Sequence, residues 1–179
     1  MYRSTNNGVN FTLMHSSPDL LISDPTDPGN GQADYDLALA VSPTNSNDLV
    51  VGGINSWRST NGGSSFVKST VHGTSTLPPP LSNYVHADCH DLAYNPLNGV
   101  LFNANDGGVW KSTSGGTSWD DLNEGLGITQ YYHGVGTDAL PNMVLGGTQD
   151  NGKPRTRFRW RLHFYPYNGS RWFRCLTKL

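Results

Sequence analysis

The sequence predicts an all-β fold: a β-propeller fragment of four-stranded blades, two whole and two partial. Three observations lead there. One short pattern occurs three times, as Tyr2-Arg3-Ser4-Thr5-Asn6-Asn7-Gly8-Val9-Asn10-Phe11, Trp57-Arg58-Ser59-Thr60-Asn61-Gly62-Gly63-Ser64-Ser65-Phe66 and Trp110-Lys111-Ser112-Thr113-Ser114-Gly115-Gly116-Thr117-Ser118-Trp119, with its serines 55 and 53 residues apart. Self-similarity at such a period marks solenoids and propellers. The composition, with 21 Gly, 11 Pro, eight Tyr, five Trp and six Phe in 179 residues, suits short strands punctuated by turns, and no stretch has a helical period. A longer unit also recurs around the pattern.

Each copy of the pattern reads as one hairpin. Glycine with Asn or Ser supplies the positive φ of a tight turn, and the flanking aromatic and β-branched residues suit paired strands. The Ser and Thr hydroxyls can bond the free backbone groups of the turn from inside. The first hairpin belongs to a blade end over 1–24. The first whole blade, 34–70, runs from Tyr35 to a turn at Pro43, then Asp48 to Ile54, then the hairpin. The second, 86–122, repeats this with His90 to Pro96, Gly99 to Asn105 and its own hairpin. A partial blade over 128–152 has Ile128 to Val135 and Asn142 to Gly147, and its third and fourth strands would fall in the segment 153–179. Pro-rich connectors, Ser23 to Ala33 and Thr70 to Tyr84, join the blades at the surface, where binding function tends to sit. A propeller closes with about four to eight blades. The chain is therefore expected to be a fragment, completed by blades from a longer chain or by self-association, because open terminal blades expose apolar faces and strand edges.

The net charge of −2 conceals an asymmetry. Residues 1–152 hold all 14 acidic residues but only Arg3, Arg58, Lys68 and Lys111 of the 12 Lys and Arg; the segment 153–179 holds the rest and no acid. That shift marks a boundary. The segment alternates cation and apolar residue through Arg157-Phe158-Arg159-Trp160-Arg161-Leu162-His163-Phe164, a pattern able to bind single-stranded nucleic acid. A frameshifted, wrongly joined or disordered end explains the loss of acids more simply, so nucleic acid is not the expected partner. No apolar run is long enough to span a membrane, and no signal peptide precedes the first hairpin. Cys89 and Cys175 suggest neither a disulfide framework nor a zinc site.

The densest polar cluster is His86-Ala87-Asp88-Cys89-His90-Asp91. Strand alternation would put His86, Asp88 and His90 on one side. Two imidazoles and a carboxylate suit a divalent metal if a further ligand converges, or an acid/base pair. The plainer reading is a strand start whose polar groups bond neighbouring loops, and no cofactor is expected. In a four-stranded blade, the loop entering the first strand and the loop between the second and third lie on one face. His86, Asp88 and His90 should therefore share a face with Asp106 and with Gln149 and Asp150, which together are the candidate ligand contacts. Tyr84 and one of Tyr131 and Tyr132 are candidates for stacking on sugar rings.

The hairpins resemble the Asp-box (BNR) family, whose Ser-x-Asp-x-Gly-x-Thr-Trp pattern lies at the turn between the third and fourth strands of a propeller blade. The matching positions are Ser4, Asn6, Gly8 and Phe11; Ser59, Asn61, Gly63 and Phe66; and Ser112, Ser114, Gly116 and Trp119. Asn6, Asn61 and Ser114 stand where the family has Asp, and Phe11 and Phe66 where it has Trp. In that family the box is a structural fastener away from the active site. Tyr35 to Pro43, Val85 to Leu92, Asn105 to Val109 and Gly146 to Gly152 further resemble large secreted bacterial propeller proteins labelled glycosyl hydrolases or carrying C-terminal sorting signals. These are distantly similar to sialidases, xyloglucanases and sortilin. The resemblance, over residues 2–152, implies a secreted or cell-surface parent. It also implies what a catalytic member would need. Sialidases use an arginine triad, for which Arg3 and Arg58 are too few, and xyloglucanase-type enzymes use two aspartates to which no residue here is matched. The expected function is a non-catalytic scaffold that binds a glycan or protein partner. The alternative is part of a glycoside hydrolase with carboxylates drawn from Asp88, Asp106 or Asp150, and the second alternative is nucleic-acid binding by the tail.

Overall fold

The computed structural model describes residues 1–22, 31–72, 83–128, 130–136, 138, 143–148, 155–157 and 161–163, and every regular element among them is a β-strand. The chain forms two compact units, Met1–Leu126 and Gly127–Leu179.

The first unit opens with a two-stranded sheet of β1 (Tyr2–Arg3) and β2 (Thr12–Leu13). It continues with two antiparallel four-stranded sheets. In one, β3 (Ala38–Val41), β4 (Leu49–Gly52), β5 (Ser56–Ser59) and β6 (Val67–Lys68) lie in sequence order. In the other, β7 (Cys89–Tyr94), β8 (Leu101–Asn105), β9 (Gly108–Ser112) and β10 (Asp120–Asp121) do the same. Meanders of four strands stacked face to face are consecutive propeller blades. The core lies between them: Ala38, Ala40 and Val50 of the first blade meet Val85, Cys89, Leu92, Leu101, Trp110 and Trp119 of the second. Burying each large side chain contributes about 1.5–3 kcal/mol. Close approach depends on small residues. A Cβ on Gly52 would come within 2.5 Å of the Cys89 sulfur and 3.2 Å of Leu92 Cδ1.

The three repeated hairpins share one hydrogen-bond pattern. In each, the first serine's Oγ accepts from two backbone amides: Asn6 and Gly8 on Ser4, Asn61 and Gly63 on Ser59, Ser114 and Gly116 on Ser112. The polar residue two places on then accepts from the amide four residues beyond it: Asn10 on Asn6, Ser65 on Asn61 and Ser118 on Ser114. An amide oxygen and a hydroxyl thus do the same local work, which explains why the pattern tolerates Asn and Ser. Gly8, Gly63 and Gly116 all have φ between 84° and 93°, a conformation that glycine adopts without a Cβ penalty.

Side chains of the hairpins also fasten successive blades together. Trp119 Nε1 donates to Ser69 Oγ at 3.2 Å, and Ser69 Oγ in turn donates to the Gly116 carbonyl. Arg58 holds Asp48 with two bonds of 3.0 and 2.8 Å and reaches Thr117 Oγ1 at 3.2 Å. Arg3 likewise reaches the following blade, at Asn47 Oδ1 and Ser46 Oγ in the turn between β3 and β4.

In the second unit, β11 (Tyr131–Gly136), β12 (Met143–Thr148), β13 (Arg155–Arg157) and β14 (Arg161–His163) form an antiparallel sheet in that order. This sheet has four strands where 128–152 alone supplies two. Its last two strands come from the basic segment, where the alternation of cation and apolar residue has the period of a strand.

Candidate functional site

The sequence-predicted loop face takes shape where the two blades of the first unit meet. The chain enters β7 through His86, Ala87 and Asp88, and the turn from β8 to β9 passes through Asp106 and Gly107. The two segments are in contact. The His86 ring lies so close to Gly107 that a Cβ there would come within 2.4 Å of it, and His90 Nε2 pairs with Asp106 Oδ1 at 2.6 Å. A ladder of buried amides sets the turn: Asn103 Nδ2 donates to Ser56 Oγ, Asn105 Nδ2 to Asn103 Oδ1, and the Gly107 amide to Asn105 Oδ1. Its first rung crosses from one blade to the other. Asn105 Oδ1 thereby fixes the backbone on which Asp106 is carried.

The expected alternation of His86, Asp88 and His90 is corrected. β7 begins only at Cys89, Asp88 has φ +64°, and the register shifts between Cys89 and Asp91. A left-handed residue followed by a bulge breaks the strand alternation that would have put the three side chains in one row. Their partners differ accordingly: His86 Nδ1 lies 3.2 Å from the Ala87 carbonyl, Asp88 Oδ1 accepts from Gln32 Nε2 at 3.2 Å, and His90 pairs with Asp106. Among the described residues, no three His, Cys, Asp or Glu side chains are grouped to hold a metal ion. The His86, Asp88 and His90 set does not form one.

The first blade and the connectors flanking it contribute groups that the sequence did not single out. Gln32 reaches Asp88, the Tyr35 ring stands edge-on to His90 at 4.9 Å, and His72 Nδ1 lies 2.8 Å from Asn55 Oδ1. Burial lowers the His72 pKa, as does Lys68. Asp36 is the most unusual member. It is fully buried, and neither carboxyl oxygen receives a hydrogen bond. Burial, and then the neighbouring Asp88 carboxylate, push its pKa up to about 6. A proton kept on Asp36 would make it a donor in a place where its ionised form has only acceptors. The signal available in the sequence was an acid directly heading an apolar strand run, Asp36 before Leu37-Ala38-Leu39-Ala40-Val41.

Chemically, this is a seam of polar groups engaged with one another. Asp36 is sealed from solvent, and the Asp106 side chain is 11% exposed and paired with a His90 side chain that is 37% exposed. The buried Cys89 thiol, pushed up to about 12 by burial, is unsuited to act as a nucleophile. Tyr84 is 37% exposed in the first unit, whereas Tyr131 and Tyr132 lie in the second, at 49% and 52%. Gln149 and Asp150 lie outside the described residues.

No family model and no curated protein matches the chain. Among solved structures, it is similar to an ancestral GH74 enzyme at 23% identity and TM-score 0.44, over 87% of this chain and 19% of that one. It is also similar to a GH74 enzyme of Niastella koreensis at 20% identity and TM-score 0.35, over 69% of this chain and 21% of that one. A third similarity is to the extracellular domain of a hybrid two-component system of B. thetaiotaomicron at 13% identity and TM-score 0.36, over 75% of this chain and 18% of that one. The chain thus spans about a fifth of the length of these structures.

Proposed function

We propose that the chain is a non-catalytic propeller scaffold, part of a larger secreted or cell-surface protein, that binds a glycan or protein partner on its loop face through His90 and Asp106, with His86 beside them and Tyr84 as a further candidate contact. One observation carries this reading. Asp36, whose pKa is raised toward neutrality, is closed to solvent, while Asp88 and Asp106 are bonded to Gln32 and His90. A general acid must reach the proton-accepting atom of a substrate, and a glycosidase needs two carboxyls free to flank one bond. Asp36 cannot do this, and the other two are already engaged with Gln32 and His90, which favours a binding role over a catalytic one. The repeated hairpins are, on this reading, Asp-box fasteners with Asn or Ser in the acidic place, supported by their common hydrogen-bond pattern.

The test is titration calorimetry of the whole chain with xyloglucan oligosaccharides and sialyllactose, alongside an assay for released reducing ends. Saturable binding weakened at least about tenfold by His90→Ala, with no release of sugar, is the expected result. Turnover that Asp106→Asn abolishes would overturn the scaffold reading in favour of a glycoside hydrolase.

A further inference from the structure

The two whole blades correspond residue by residue through their registers. Trp57 pairs with Val51 and Trp110 with Asn103; Val51 pairs with Leu39 and Asn103 with Leu92. Leu39 is therefore the counterpart of Leu92, and Val41 of Tyr94. Their surroundings are opposite. Leu92 is 5% exposed, but Leu39 is 57% exposed and Val41 46%. What covers Leu92 is the inner pair of strands of the preceding blade, β3 and β4, with Ala38, Ala40 and Val50 in the shared core and Gly52 beneath the leucine.

The strands β1 and β2 correspond to the outer pair of such a blade. Tyr2 pairs with Leu13 as Trp57 does with its own hairpin partner, Lys68, and Arg3 reaches forward to Asn47 as Arg58 reaches forward to Thr117. The packing agrees: the place of a Cβ on Gly63 is filled by Met1 and Met14, as that of Gly116 is by Ser69 and Val50. In both whole blades the third strand pairs on its other side with the second, whereas β1 pairs with β2 alone among the described strands. Among the described residues, an outer pair is thus in place and an inner pair is not.

We propose that the Leu39 and Val41 face, together with the open edge of β1, is an interaction surface for one β-hairpin of inner-blade type. Its chemistry follows from the interface already formed between the whole blades: two antiparallel strands with small residues facing Leu39, a glycine beneath it, and a free edge to bond β1. A second copy of the chain does not fit this role, because its own β3 and β4 are already bonded to β5 and packed on β7. The proposal rests on the reading that further blades belong beside this chain. It concerns a different surface from the ligand-binding loops, so failure of the binding assay leaves it standing.

The test is a chain carrying a copy of residues 35–55 directly before Met1, so that the copied Asn55 precedes Met1 as the original precedes Ser56. Thermal unfolding should show a Tm about 5 °C or more above that of the parent chain. Leu39→Asp in the original blade should barely change the parent and remove the gain from the extended chain, and Gly52→Leu in the copy should remove it too. An extension that gives no gain, or a gain indifferent to both substitutions, overturns the proposal. Sedimentation of the parent chain provides a second reading: a monomer is expected, and a dimer broken by Leu39→Asp would overturn the choice of occupant.

Discussion

The two whole blades are built from the same strands, turns and hairpin, yet one is clasped on the face that the other leaves bare. Leu92 sits in a core and Leu39 in solvent. The hairpin aromatics form a graded series: Phe11 is 64% exposed, Phe66 partly buried and Trp119 6% exposed. Local structure is constant along this series, as the shared hydrogen bonds show, so the differences come from what each blade packs against. In repeat proteins, stability is a sum of intrinsic and neighbour terms, and here the neighbour term can be read one blade at a time.

The comparison can be broken most forcefully at the aromatics. Trp119→Ala removes a buried ring and its bond to Ser69 and should cost about 3–5 kcal/mol. Phe11→Ala should cost under about 1 kcal/mol in the same urea titration; equal losses would mean that the blades do not lean on one another. Next in size is Gly52→Ala, whose Cβ would collide with Cys89. Overpacking there should cost about 1–3 kcal/mol, partly recovered by adding Cys89→Ala. Ser112→Ala strips the acceptor from the buried Gly116 amide and should cost about 1–2 kcal/mol, against a few tenths for Ser4→Ala at the exposed hairpin.

The smallest effect depends on pH. Asp36 has a higher pKa in the fold than in the unfolded chain, so its ionisation favours unfolding. The stability it lends is complete below about pH 4 and lost as pH rises through about 6. Asp36→Asn, neutral at all these values, should therefore be more stable than the parent at pH 7.5, with the difference shrinking toward pH 4. A difference that grows on acidification would show that Asp36 is ionised and well paired in the fold.

How much was legible in the sequence follows the same division between local and neighbour effects. The hairpins at Ser59 and Ser112 could be read because every group that makes them lies within seven residues of the serine or closer, and the strands because alternation and Pro turns are local. The pairing of His90 with Asp106 was legible as a shared face because topology alone brings the two loops together. Asp36 and Gln32 were not, since they reach Asp88 only through packing between blades, which no spacing records. The supposed His86, Asp88 and His90 row failed for a different reason: one left-handed residue and one bulge reset the alternation. β13 and β14 were obscured by a change in charge that left the strand period intact.

The claim that one blade stabilises the next is tested most directly by a matched pair of substitutions, Leu92→Ala and Leu39→Ala, in equilibrium urea unfolding of the whole chain. Both blades have leucine at this register position, and the two leucines differ sharply in cover. Leu92→Ala should cost about 2–5 kcal/mol and Leu39→Ala no more than about 0.5 kcal/mol. Equal costs at the two positions would contradict the account.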